Sequence, residues 1–359
     1  LHNKTSRAVP HQKYVSDELY GGFLLGFSVV STIMSSLGCL GNLVVIRTFV
    51  SLGLKEGVTV SFVFLAVSNL AYLIVMIANA VSIGVYVNEK LQSFKTWNPV
   101  DPFGMYVFFS NISYLLNLIT ILTTTYLAVV RCMCVAMPLQ FKSALTRRRS
   151  VLILVAFCVV SIASYIPILV YMKIVRAFDA KVNATRYVLW ISPEREEVKD
   201  VVWFTRDVSV TFITQIIVIV CVVIMVRCLL AASRFRRESM RYSEKREDTR
   251  NTESSVSQVH GSGAHQKRKA NEAGSGHALK LSAKDMSVVQ QVVLISVVYI
   301  VCNTPAIMVN TTVMLVEDFT LGNVYQNLYL TVLGAMELFQ TFNSSFNVFI
   351  YYRYNKKFR

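Results

Sequence analysis

One carboxylate, Glu337, stands inside an otherwise uncharged run over residues 319–352. A carboxylate is expensive in hydrocarbon, so it must face a partner or a water-filled cavity. Two chemistries fit. Glu337 lines an outward-facing pocket and pairs with a cationic group on a ligand, or it is satisfied inside the protein, for instance by Arg206 or an outer-loop lysine. Uncharged polar side chains also interrupt the apolar runs: Asn42, Asn69, Asn117, Thr120, Asn303, Asn310, Gln340, Asn343 and Asn347. Taken singly, each is either interhelical glue worth about 1 kcal/mol or less or a functional group. As a set they describe a polar interior that can be rearranged. Pro305 removes a backbone hydrogen bond beside Asn303, which gives either a hinge or a plain structural kink.

Other chemistry is scarce. The spans hold no paired carboxylates, no nucleophile–base set and no metal spacing, so neither an enzyme nor a cofactor is expected. The seven cysteines, Cys39, Cys132, Cys134, Cys158, Cys221, Cys228 and Cys302, fall within or at the inner ends of the apolar runs. The sequence therefore predicts no extracellular disulfide and no metal site. Cys132 and Cys134 suit either lipidation or packing. Asn3 and Asn183 head glycosylation triplets on the side read as outer. Asn111, Asn310 and Asn343 also head such triplets, but inside spans, and are expected to be unmodified.

These residues need long apolar elements to hold them. The chain has 359 residues, 54% of them hydrophobic and 16% charged, against roughly a quarter charged in soluble domains. Uncharged stretches cover 21–46, 57–88, 102–130, 150–172, 208–226 and 286–316, and the run with Glu337 makes a seventh. About 20 residues in a helix cross a bilayer. The runs lack the alternation of a barrel strand. They predict an all-α integral membrane protein with helices over about 23–49, 59–87, 104–137, 150–172, 202–231, 285–315 and 325–352. Residues 1–22 form an outer tail and 173–203 the longest outer loop. Residues 233–284, rich in Ser, Gly, Arg, Lys and Glu, read as a disordered inner loop, and 353–359 as a cytoplasmic tail.

With the N-terminus outside, 24 of the 36 Lys and Arg fall on inner segments and 12 on outer ones. This is the sense of the positive-inside rule. The net charge of +15 then reflects that asymmetry and anionic inner-leaflet lipid. A nucleic-acid role would need a soluble basic domain. The halves show no internal repeat, which argues against a transporter.

Five motifs in order give the chain a resemblance. They are Gly41-Asn42-Leu43-Val44-Val45, Leu65-Ala66-Val67-Ser68-Asn69-Leu70, Leu127-Ala128-Val129-Val130-Arg131-Cys132 with Met137-Pro138-Leu139, Cys302-Asn303-Thr304-Pro305, and Asn343 to Tyr351. Over residues 23–359 the chain resembles the rhodopsin-like G-protein-coupled receptors. More narrowly, segments 56–61, 131–139, 292–297 and 343–345 are similar to molluscan chemosensory receptors. The resemblance implies a seven-transmembrane helix bundle in the plasma membrane, N-terminus outside, with a short inner-surface helix beginning at Lys357-Phe358-Arg359.

It also implies function. An extracellular small molecule or peptide would bind among Ser113, Tyr114, Asn117, Asn310, Glu337 and Gln340. Asn42, Asn69, Arg131, Asn303, Pro305, Asn347 and Tyr351 would carry the switch and the coupling to a heterotrimeric G protein. The sixth helix would move about Pro305. Several positions depart from the family pattern. The sodium-binding aspartate is Asn69, the acid before the third-helix arginine is Val130, the sixth-helix tryptophan is Asn303, and the seventh-helix proline is Val348. The disulfide to the second outer loop has no cysteines to form it. Thr341 at the retinal-lysine position argues against light sensing, and Ser113 replaces the amine-binding aspartate. A neuropeptide or other small-ligand receptor of the same class is the neighbouring reading, and a seven-helix channel or transporter the distant one.

Overall fold

The structure, a computed structural model, describes residues 15–54, 56–91, 98–136, 146–179, 183–256, 283–316, 318–320 and 323–354. Asn3, residues 257–282 of the inner loop and the segment Lys357-Phe358-Arg359 lie outside the described residues.

The helices are α1 (Asp17–Ser51), α2 (Gly57–Leu91), α3 (Pro102–Ala136), α4 (Arg147–Val170), α5 (Arg195–Val202), α6 (Thr211–Val256), α7 (Ala283–Leu315) and α8 (Gln326–Tyr354). A π-helical stretch, Trp203–Val210, joins α5 to α6, so the three together make the fifth crossing. Local chemistry sets several of the starts. The Ser16 hydroxyl caps α1 by accepting from the Leu19 N–H at 3.3 Å. Thr146 caps α4 in the same way. At α3, Pro102 takes the first helical position, and the Asp101 carboxylate accepts from the N–H groups of Phe103 and Gly104 at 3.3 and 2.9 Å.

Seven crossings form the bundle. Six are long and apolar throughout. The seventh, α8, is richer in amides and carries Glu337, yet its length of about 43 Å spans the ~30 Å hydrocarbon core. Around the bundle, α1 packs on α2 and α8, α3 on α2, α4, α6 and α7, and α7 on α6 and α8. Two-thirds (67%) of the apolar window of α3 is buried, against 22% for α4 and 17% for the fifth crossing, so α3 is the axis of the bundle. Outward-facing side chains such as Leu37 and Leu40 of α1, Leu152 and Val159 of α4, and Ile213 and Val220 of α6 are exposed. In a membrane these meet lipid. The main core, at the end remote from the hairpin described below, gathers Val45, Phe62, Leu65, Leu127, Met225, Ile295 and Tyr351.

The seam between α1 and α8 is built from small residues. A Cβ on Gly38 would stand 2.3 Å from Ser345 Oγ, and one on Gly41 would stand 2.8 Å from Val348. This approach lets Asn42 donate to the carbonyls of Ser344 (3.0 Å) and Gly38 (2.9 Å). Ser345 Oγ donates to the Met34 carbonyl at 3.2 Å.

Two stretches read as loops are structured. In segment 173–203, expected as an outer loop, β1 (Met172–Asp179) and β2 (Ala184–Ile191) form an antiparallel hairpin, with Met172 opposite Ile191 and Asp179 opposite Ala184, and α5 follows. The hairpin satisfies its own backbone groups, and Asn183 at its turn has a φ of 53°, a conformation asparagine tolerates. The segment expected as an inner loop begins as helix, because α6 continues to Val256, past the expected end at 231. Residues 233–256 contain neither Gly nor Pro, and their Arg, Lys, Glu and Met favour helix.

Candidate functional site

A cavity of about 570 Å³ opens at the hairpin end of the bundle. That volume is typical of small-molecule sites. It runs about 27 Å along α3, from Phe103 to Ile121, at ~1.5 Å per residue. Ile191 at the end of β2 contributes to the mouth, and Asn303, Ile121 and Gln340 line its depth.

One wall is the fifth crossing. Arg195, Lys199, Trp203, Arg206, Asp207 and Thr211 all line the cavity. Arg206 Nε donates to Asp207 Oδ1 at 2.7 Å and Nη2 to Oδ2 at 2.5 Å. Its guanidinium lies over the ring of Tyr165 of α4, 3.9 Å from the centroid. Such stacking fixes the plane of the fork. The third nitrogen, Nη1, is buried. Arg195 Nη2 donates to Asn111 Oδ1 of α3 at 3.3 Å. The opposite walls carry Tyr20, Tyr86, Tyr106, Tyr114 and Tyr329.

The hairpin is fastened across the top without a disulfide. Arg186 Nη1 lies 2.9 Å from Glu89 Oε1 of α2, and Nη2 lies 3.5 Å from Asp101 Oδ1 at the start of α3. Asn98 Nδ2 donates to the other Glu89 oxygen at 3.1 Å. The backbone adds two bonds: Tyr187 N–H to the Pro99 carbonyl and Asp101 N–H to the Tyr187 carbonyl, both 2.9 Å. Gly104 admits Leu189 of β2, since a Cβ there would lie 2.8 Å from that side chain. The seven cysteines sit on the transmembrane helices, and no disulfide joins them.

Along the cavity and below it, amides tie helices together in pairs. Asn303 Nδ2 of α7 donates to Gln215 Oε1 of α6 at 3.2 Å, and Gln215 Nε2 donates to the Ile300 carbonyl at 3.2 Å, one turn before Pro305. Asn310 Nδ2 reaches the Asp207 carbonyl at 3.1 Å. Thr120 Oγ1 of α3 donates to Asn69 Oδ1 of α2 at 3.4 Å. With Asn42 on the α1–α8 seam, the expected switch residues Asn303 and Asn69 each bridge a different pair of helices, and Asn310, expected as a ligand contact, bridges the π-helical stretch and α7.

At the far end, the Tyr351 ring is clamped edge-on by Phe49 and Phe62, with centroids 5.4 and 5.3 Å away. Asn347 is buried beside it on α8, and Arg131 is half-buried near the end of α3, following buried Val130. Cys132 packs into the core, and Cys134 is half-buried.

The six expected ligand contacts separate into two groups. Tyr114, Asn117, Asn310 and Gln340 line the one cavity, with Asn303 deeper. Ser113 is buried and donates back to the Ser110 carbonyl at 2.8 Å. Glu337 is buried and lies off the cavity lining. It stands within electrostatic reach of Tyr72, Tyr106 and Tyr114. Among the described residues its carboxylate accepts no hydrogen bond, and Arg206 is paired with Asp207 instead. Sequence reasoning did not single out Arg195, Lys199, Trp203 and Asp207 as lining residues. The available signal was their spacing: 195, 199, 203 and 207 recur every four residues, the interval of one helix face. Asn183 is exposed at the hairpin turn.

Comparison with known proteins adds the lineage. A family model described as serpentine type 7TM GPCR chemoreceptor Srx matches residues 33–258, more than half of the chain. Among curated proteins no relative matches. The matched stretch runs from α1 through the basic wall of the cavity into α6. With seven membrane-crossing helices around a cavity at one end, the chain belongs to the serpentine-type 7TM G-protein-coupled chemoreceptor family Srx, as a multi-pass membrane receptor.

Proposed function

We propose that this protein is a plasma-membrane chemosensory receptor that converts binding of an extracellular small molecule into activation of a heterotrimeric G protein. The observation that carries this reading is the cavity: it opens at the hairpin end and reaches down to Asn303, whose bonds tie α6 to α7 one turn from Pro305. In this reading the N-terminus and the hairpin are extracellular, in keeping with the basic inner segments. Ligand contacts are Tyr114, Asn117, Asn310 and Gln340, with Ser113 and Glu337 supporting them from behind the wall. A ligand acts only by preferring one packing of the bundle over another. The pairs that must exchange are those of Asn303, Asn310, Asn69 and Asn42, and α7 moves about Pro305. Arg131, Asn347 and Tyr351 then meet the G protein at the inner end. The motifs around Asn42, Asn69, Arg131, Pro305 and Asn347 support a rhodopsin-like mechanism, and segments 56–61 and 131–139 a likeness to molluscan chemosensory receptors.

The test is guanine-nucleotide exchange on a G-protein panel by membranes carrying the full chain, under an odorant and peptide panel. Arg131→Ala at matched surface level is expected to abolish the stimulated exchange. Undiminished exchange in that variant would contradict the coupling role.

A further inference from the structure

The deep end of the cavity identifies the class of ligand. Two primary amides line it there, Asn117 of α3 and Gln340 of α8. Both residues are more than nine-tenths buried, with 8% and 7% of their surface exposed. Among the described residues neither side-chain amide has a hydrogen-bond partner, yet neither is sealed in. Sealed amide atoms occur elsewhere, at Asn42 Oδ1, Asn69 Nδ2 and Asn347 Oδ1. At Asn117 and Gln340 the remaining accessible surface belongs to the cavity wall. The two amides stand at one level. Tyr114 and Glu337 lie within electrostatic reach of each other. The third and seventh crossings run in the same direction, and three residues further along each, about 4.5 Å, are Asn117 and Gln340. The lining around them, with Leu118, Ile121, Asn303 and Met336, is uncharged. Among the described residues, those with charge on the lining all fall within 195–207 on the fifth crossing. Asp207 there meets Asn310, two turns of α7 nearer the mouth than Asn303. Polar groups at this depth are costly unless served by water or a ligand.

We propose that the cavity takes an uncharged organic amide, a carboxamide or lactam, whose head lies between the side chains of Asn117 and Gln340 and whose apolar body extends toward the mouth. A primary amide side chain carries both donors and an acceptor. A ligand amide carries both as well, so its N–H donates to one side-chain carbonyl while its own carbonyl accepts from the other side chain. An ester only accepts and an ammonium only donates, and each leaves part of the amide pair unsatisfied. A charged head would also need a counter-charge. The lining at this level holds none, and Glu337, one turn nearer the mouth, lies off the lining. Toward the mouth the wall turns aromatic. The rings of Tyr86 and Phe103 stand 5.4 Å apart and those of Phe103 and Tyr106 6.1 Å apart, which suits a flat or apolar body. This inference names the ligand class of the receptor reading and rests on that reading for its purpose, though not for its chemistry.

The experiment uses the purified full chain in detergent micelles and two matched ligand sets. One is 4-phenylbutyramide with methyl 4-phenylbutyrate, 4-phenylbutyrate and 4-phenylbutylamine. The other is octanamide with methyl octanoate, octanoate and octylamine. Binding is read as saturable thermal stabilisation. At least one amide is expected to stabilise the protein at concentrations where the ester, carboxylate and amine of the same body do not. Asn117→Leu and Gln340→Met, which remove the polar groups at nearly constant volume, are each expected to weaken amide binding about twofold to tenfold, the range for a neutral hydrogen bond. Ester binding should stay within twofold in both, so the preference for amide over ester collapses, a change that a general loss of stability would not produce. No stabilisation by either amide, equal or tighter binding of an ester, carboxylate or amine, or an unchanged amide preference in a folded variant would each overturn the proposal. Should neither variant fold, the two ligand sets on the parent protein decide the ligand class by themselves. No G protein enters this assay. Its failure leaves the receptor reading standing, whereas amide binding with no nucleotide exchange across the odorant and peptide panel would remove the receptor reading and keep the site.

Discussion

Replacing Arg186 with glutamine should release the hairpin from the top of the bundle. The guanidinium has 9% of its side chain exposed, and its partners Glu89 and Asp101 have 17% and 20%. The 2.9 Å contact to Glu89 is a charge-assisted hydrogen bond, worth about 1.5–3 kcal/mol. The 3.5 Å contact to Asp101 is weaker and adds about 1 kcal/mol at most. Glutamine also leaves two largely buried carboxylates without their shared cation. Asp101 keeps the two N–H groups at the start of α3, and Glu89 keeps Asn98, so part of the loss is cushioned. The net cost is about 3 kcal/mol, the low end for breaking a buried pair. The backbone bonds at Tyr187 survive, so the bundle stays folded while the hairpin opens locally. A cost of that size makes opening on the order of a hundredfold more frequent. The assay is hydrogen exchange of amides 172–191 in the purified full chain, with amides of α3 as the internal reference. The double variant Glu89→Gln/Arg186→Gln, which removes one stranded charge, should recover part of the protection. Hairpin amides exchanging within threefold of the parent would refute the claim that this ion triad replaces a disulfide as the fastening.

Other consequences can be checked as directly. Gly38→Val puts a Cβ into Ser345 Oγ and the side chain of Leu73; it should separate α1 from α8, cost about 1–3 kcal/mol as overpacking does and lower the melting temperature by several degrees, whereas a melt matching the parent would show that the seam adapts. Gln215→Leu removes the acceptor of Asn303 and the donor to the Ile300 carbonyl; at about 1 kcal/mol for a membrane hydrogen bond, ligand-independent nucleotide exchange should rise about fivefold, and unchanged or lower basal exchange at equal surface level would show that this bond does not hold the resting packing. Asn183, exposed at the hairpin turn, should carry a glycan in a cell-surface pool. Asn183→Gln should then remove one glycosidase-sensitive mobility shift, and a shift that persists unchanged would place that glycan elsewhere.

Span lengths and their number are local properties of the chain measured against hydrocarbon, so they are legible in the sequence. So is the singularity of Glu337, because any carboxylate in such a run must be handled. Partners are another matter, because they are fixed by contacts between residues far apart in the chain. Arg186 meets Glu89 across 97 positions, and nothing in either neighbourhood announces it. Segment 173–203 reads as a loop because hairpin pairing and the docking of Leu189 on Gly104 are decided by what lies opposite. The same holds within the bundle. Asn117 and Gln340 face the cavity while Ser113 and Glu337 do not, a matter of helix rotation that residue type cannot supply. The sequence allows Arg206 as a partner for Glu337, but in the structure Arg206 is engaged by Asp207 and Tyr165 instead. The sequence by itself determined a membrane bundle with a polar interior and with its basic residues concentrated at one end. Only the tertiary structure decided which polar groups share a cavity, because that depends on the rotation of each helix about its own axis against its neighbours.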